Sequence, residues 1–92
     1  SKNKFPNENI LKLYTGILLF RKESFKDSIK ELDNLDFQGD QQIEIKKNFF
    51  LARSYDRLNM TDKAFEYFKI TNEINSNLKL PLIILSPEYS YN

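Results

Sequence analysis

The chain has 92 residues, 40% of them apolar and 14% aromatic, and its 14 basic and 13 acidic side chains leave a formal charge of +1. That composition describes one globular domain rather than a disordered tail. The even charge lacks the positive field with which proteins hold phosphate backbones, so nucleic acid is not an expected partner. With neither Cys nor His in the sequence, disulfides, thiolate catalysis, Ser-His and Cys-His triads and thiolate or imidazole metal sites are excluded.

No apolar run is long enough to span a membrane, and residues 1–9 carry no apolar stretch of the signal-peptide kind. The expected location is therefore cytoplasmic, with no membrane contact. A domain of this size buries only roughly 60–65% of the surface its unfolded chain exposes. Self-association, or continuation into a longer chain, is expected to cover the remaining apolar edges.

Apolar residues Ile10, Leu11, Leu13, Tyr14, Ile17, Leu18 and Phe20 recur at three- and four-residue steps and predict a first helix, with Asn7 as its N-cap. Ser24 stands three residues before Asp27, a relative of the capping box, and Phe25, Ile29, Leu32 and Leu35 then share one face of a second helix over about residues 24–35. The stretch 36–42, with Gly39, breaks the pattern, and Asp40 is placed to cap a third helix over about residues 41–58. Its apolar stripe is Ile45, Phe49, Ala52 and Tyr55. Asn59 suits the left-handed backbone that ends a helix, and Thr61 with Asp62 offers an oxygen cap and a favourable charge for a fourth helix. That helix is expected to turn Ala64, Phe65, Phe68, Thr71 and Ile74 inward. Short breaks between four helices favour antiparallel neighbours.

Sliding the chain against itself by 36 residues aligns Gly16 with Ala52, Leu19 with Tyr55, Ser28 with Ala64, Ile29 with Phe65 and Leu32 with Phe68. Small residues fall on small and large on large, as two helices meeting closely across a tight turn require. On these residues the chain resembles the tetratricopeptide-repeat (TPR) family, most closely in its second copy. There Leu51, Ala52, Tyr55, Asn59, Ala64, Phe68 and Thr71 follow the family's order of Leu-Gly, Tyr, turn Gly, Ala, Phe and small residue. The first copy departs from that pattern at Lys12, where an aromatic is common, and at Thr15, where Leu is.

The resemblance implies an all-α fold of two antiparallel helix-turn-helix repeats, residues 9–40 and 41–77, forming a short right-handed superhelix. Residues 1–8 would be a flexible lead, and residues 78–92 an apolar capping or swapping segment. An ordinary four-helix bundle is the alternative.

In such repeats the first helix of each pair lines a concave surface that holds a protein segment. The resemblance places Ile10, Leu13, Ile17 and Phe20 on that surface in the first copy and Lys46, Phe49, Arg53, Asp56 and Arg57 in the second. Leu13 and Ile17 stand where clamps for a C-terminal carboxylate carry polar side chains, so no such clamp is expected. Arg53 and Arg57, one helical turn apart beside Asp56, suit an anionic ligand held by forked hydrogen bonds, or a solvated face with local ion pairs. Ile17, Phe20 and Phe49 suit a packed core equally well.

Tyr14, Tyr55 and Tyr67 read as packing residues with a polar tip. The carboxylate pairs Asp33 with Asp36 and Glu66 with Glu73 fall on expected exposed faces, without the burial that acid–base work needs. No glycine-rich phosphate loop occurs, and Gly16 within a helix reads as a close-packing residue. No cofactor, metal or catalytic set is expected.

The run Leu82, Ile83, Ile84 and Leu85, with Leu78 and Leu80 before it and Pro81 within, is the expected self-association segment of a homo-oligomer. The leading expectation is thus a non-catalytic protein- or peptide-binding scaffold. A second is a docking region: residues 51–75 also resemble the last repeat before the catalytic domain of bacterial TPR sulfotransferases, in the order Ala64, Phe65, Phe68 and Asn72.

Overall fold

A computed structural model describes residues 7–36 and 39–80. They form four α-helices in chain order, α1 (Asn7–Arg21), α2 (Phe25–Asp33), α3 (Gln41–Arg57) and α4 (Thr61–Asn77). Among the described residues there is no strand, so the fold is all-helical. Each helix packs on its neighbour in the chain, and α1 also reaches α3.

Helix ends follow from local chemistry. The Asp40 carboxylate accepts from the backbone N–H groups of Gln42 and Ile43 at 3.0 and 3.3 Å, which satisfies two donors that the first turn of α3 would otherwise leave unpaired. The other expected caps differ. Asn7 is itself the first helical residue of α1. Ser24 occupies the cap position of α2, but its side chain makes no capping bond. Thr61 lies inside α4, with Met60 in the cap position and no side-chain cap. These two helices start from the turn that precedes them: the Ser24 and Met60 carbonyls accept from Ser28 and Ala64 at 2.9 and 3.0 Å.

Those turns are duplicates 36 positions apart. After α1, Ser24 N–H donates to the Leu19 carbonyl and Glu23 N–H to that of Phe20, with Glu23 at φ 65°. After α3, Met60 donates to Tyr55 and Asn59 to Asp56, with Asn59 at φ 63°. This paired six-to-one and five-to-two bonding closes a helix with one left-handed residue. The end of α4 repeats it a third time, Leu80 donating to Asn75 and Lys79 to Ser76, with Lys79 at φ 60°. Asn tolerates that backbone, and Glu and Lys adopt it at a cost of roughly 1–2 kcal/mol.

The core lies where the two hairpins meet. Leu13, Ile17, Leu32, Leu35 and Leu51 form one cluster, and Ala52, Ala64 and Phe68 a second between α3 and α4. Gly16 governs the α1–α2 contact: a Cβ there would stand 2.5 Å from Leu32 Cδ2 and 2.6 Å from its Cγ. The Ser28 hydroxyl uses the same close approach to donate to the Gly16 carbonyl at 2.7 Å, and Ser54 Oγ lies 3.5 Å from Ser28 Oγ. A polar seam thus runs from α1 through α2 to α3.

Phe65 and Tyr14 lie elsewhere than their spacing suggests, while Leu35 and Thr71 are buried as expected. Leu35 follows the end of α2 yet remains buried, held by its N–H to the Leu32 carbonyl at 3.1 Å. Phe65 is 45% exposed rather than inward, because Ala64, Phe68, Thr71 and Asn75 define the buried face of α4 and Phe65 stands about 100° around the helix from Ala64. Tyr14 is exposed rather than packed. The buried polar residues Asn48 and Thr71 return their side chains to their own helices, donating to the Glu44 and Tyr67 carbonyls at 2.9 Å each.

Two outcomes follow. Gly16→Ala should lower urea-unfolding stability, because overpacking against the fully buried Leu32 costs about 1–3 kcal/mol while Ala gains only ~1 kcal/mol over Gly in a helix. A stabilised variant would show that α1 and α2 are not in this contact. Phe68→Ala should cost about 3–5 kcal/mol in the same measurement.

Candidate functional site

Helix α3 carries different chemistry on two sides. On one, Phe49 and Arg53 are a turn apart, and the Arg53 guanidinium carbon lies 5.7 Å from the Phe49 ring centre and 5.7 Å from that of Phe20 on α1. One turn further, Arg57 lies 4.9 Å from the ring of Phe25 at the start of α2. The rings form a continuous series of edge-to-face contacts, Phe25 to Phe20 at 5.5 Å, Phe20 to Phe50 at 5.5 Å, Phe50 to Phe49 at 5.2 Å and Phe49 to Phe68 at 5.9 Å. Edge-to-face pairs place a positive ring rim against a negative ring face, and a guanidinium over a ring uses the same quadrupole. Both arginines are exposed, and Phe20, Phe25, Phe49 and Phe50 are half-buried.

This surface gathers part of the expected groove. Phe20, Phe49, Arg53 and Arg57 come together, with half-buried Asp56 between the arginines in sequence and exposed Lys46 earlier on the same helix. Leu13 and Ile17 do not join them: at 4% and 9% exposure they belong to the core against Leu32 and Leu51, because α1 turns that face onto α2 and α3. Ile10 remains 40% exposed at the start of α1. Phe25 and Phe50 are part of the face although neither was expected there. Phe50 is adjacent to Phe49 and steps toward α1, a placement that depends on the crossing of α1 and α3 and leaves no periodic signal. The expected self-association residues Leu82, Ile83, Ile84 and Leu85 lie outside the described residues.

On the other side of α3, Tyr55 stacks on Tyr67 of α4 with ring centres 5.6 Å apart and planes 8° from parallel, and Lys63 Nζ stands 5.7 Å from the Tyr55 ring. Burial pushes both phenols above their ordinary value of 10.0, and the Asp33 carboxylate adds to the rise in each. For Tyr67 the neighbouring Tyr55 and Glu66 contribute further. This pair joins α3 to α4 beside the first core cluster.

The carboxylates of Asp33, Asp36, Glu66 and Glu73 are exposed. Among the described residues no group of three or more His, Cys, Asp or Glu side chains converges as a metal site would require, and no helix is long and apolar enough to cross a membrane. The chain matches no family model, no curated protein and no solved structure.

The tyrosine pair gives a pH test. Because the folded-state values are raised, unfolded tyrosine ionises first. The stabilisation is complete below about pH 10 and is lost as pH climbs through the raised folded values. Thermal melts between pH 9 and 11.5 should show the Tyr55→Phe/Tyr67→Phe variant losing less stability over that interval than the parent chain. An equal loss would mean that neither phenol is shielded in the fold.

Proposed function

We propose that the chain is a non-catalytic, TPR-like protein-interaction module that self-associates and holds an acidic segment of a partner protein on the face built from Phe20, Phe25, Phe49, Arg53 and Arg57. The reading of two stacked repeats is supported by the matched turns after α1 and α3 and by the small residues Gly16, Ser28, Ala52 and Ala64 at the two hairpin contacts. The observation that carries the binding role is Arg53, seated between Phe20 of the first hairpin and Phe49 of the second. The contact with the two rings restrains the guanidinium without occupying its N–H donors, and a carboxylate that meets it in the guanidinium plane accepts a forked pair of hydrogen bonds. The rings beside it offer apolar contact to the flanking residues of such a segment, and the short spacing of Arg53 and Arg57 suits carboxylates in an acidic run.

The test is fluorescence anisotropy against a labelled library of acidic decapeptides with and without an aromatic residue. Binding should weaken with added salt, and Arg53→Gln should reduce affinity about tenfold or more, since hydrogen bonds to charged groups contribute about 1.5–3 kcal/mol. Arg53→Lys should not restore it, because an ammonium has no planar fork. Equal binding of basic decapeptides would sink the assignment.

A further inference from the structure

Among the described residues the largest apolar exposure lies on α1, on the side away from its core contacts. Leu11, Tyr14 and Leu18 are 64%, 56% and 54% exposed and follow one another at three- and four-residue steps, so they form a single stripe. Glu8, Thr15 and Lys22, each seven residues apart and all exposed, flank that stripe on one side.

The internal duplication shows what such a face meets. Thirty-six positions on, the counterparts of Leu11, Tyr14 and Leu18 are Lys47, Phe50 and Ser54 of α3. Those three residues face the first hairpin. Lys47 Nζ donates to the Leu35 carbonyl at 3.1 Å, Phe50 packs on the first core cluster and on Phe20, and Ser54 meets Ser28. In α3 this face carries another helix; in α1 it is open and more apolar.

We infer that α1 pairs antiparallel with α1 of a second copy through Leu11, Tyr14 and Leu18, making the chain a two-fold symmetric homodimer. This rests on the self-association reading above and gives it a surface. The choice of occupant comes from self-complementarity. An antiparallel pairing centred between residues 14 and 15 sets Leu11 against Leu18 of the second copy, brings the two Tyr14 rings together near the axis, and brings Glu8 to within one residue's rise of Lys22 of the second copy on the same edge of the contact. A parallel two-fold pairing would instead put the Glu8, Thr15 and Lys22 flanks of the two copies on opposite edges of the contact, where Glu8 and Lys22 cannot meet. An isologous contact uses one patch twice and closes, so it yields a dimer and no larger assembly. One helix face is smaller than the roughly 800 Å² per partner of a standard stable interface, so a weak dimer is expected, in the micromolar range.

The experiment is sedimentation velocity of the full 92-residue chain from about 10 to 500 μM, with circular dichroism confirming that each variant keeps its helices. Leu18→Lys, at an exposed position, should weaken the dimer at least tenfold. Glu8→Lys and Lys22→Glu should each weaken it, and the double variant Glu8→Lys/Lys22→Glu should recover most of the parent affinity. That recovery is specific to the antiparallel register. A dimer indifferent to Leu18→Lys, or a double variant no better than the singles, overturns this pairing while leaving self-association standing. A chain monomeric throughout overturns both. A monomer whose Leu11, Tyr14 and Leu18 amide signals shift on adding a synthetic peptide of residues 78–92 assigns the stripe to that segment and likewise overturns the pairing.

Discussion

The close approach of α1 to α2 at Gly16 is the contact on which the rest of the structure depends. The absent Cβ lets the Leu32 side chain sit against the α1 backbone. The same proximity brings Ser28 within hydrogen-bond reach of the Gly16 carbonyl, already a helical acceptor. Ser28 in turn meets Ser54, so the spacing of the first hairpin fixes where α3 lies. The second hairpin solves the same problem with Ala52 and Ala64, both fully buried. Were α1 held further from α2, the crossing that carries Phe20 to Phe50 and Arg53 would be lost, and with it the continuity of the aromatic face.

Much of this was legible because it rests on residue type at a fixed offset. Asp40 caps α3 since a short carboxylate before a helix has free N–H groups to meet, and Asn59 takes the left-handed backbone since its side chain tolerates it. Glu23 adopts the same backbone with no signal in its identity. Only its position, 36 residues before Asn59, connects it to a residue with such a signal, and that link was not drawn from the sequence. Thr71 was expected inward and is buried, whereas buried Asn48 and Ser54 escaped a reading based on apolar periodicity, because each is satisfied by a backbone carbonyl or a neighbouring hydroxyl rather than marked by hydrophobicity.

The candidate site shows where periodicity runs out. Helix α1 is apolar on two sides, and three- and four-residue spacing names both stripes without saying which one faces inward. Leu13 was assigned to an open groove and Ile17 to groove or core alike; both lie in the core, whereas Leu11, Tyr14 and Leu18 remain in solvent. On α3 the pairing of Arg53 with Phe49 follows from a single helical turn and was readable. Phe20 was placed on this face by the resemblance, whereas the contributions of Phe25 and Phe50 depend on how the helices cross and left no signal in the spacing. What the residues supply without ambiguity is chemistry: a face of rings and guanidiniums, and no imidazole or thiol anywhere in the chain.

The matched turns also bear on how the chain reaches its fold. Each hairpin closes through a break of only three residues, residues 22–24 and residues 58–60, so most of its contacts are near in sequence and each pair of helices forms by rapid local closure. The join between them, through Ser28 and Ser54, spans a longer separation. The chain length to be closed between the hairpins is thus longer than that within either one, and the entropy cost of closure falls mainly on the seam.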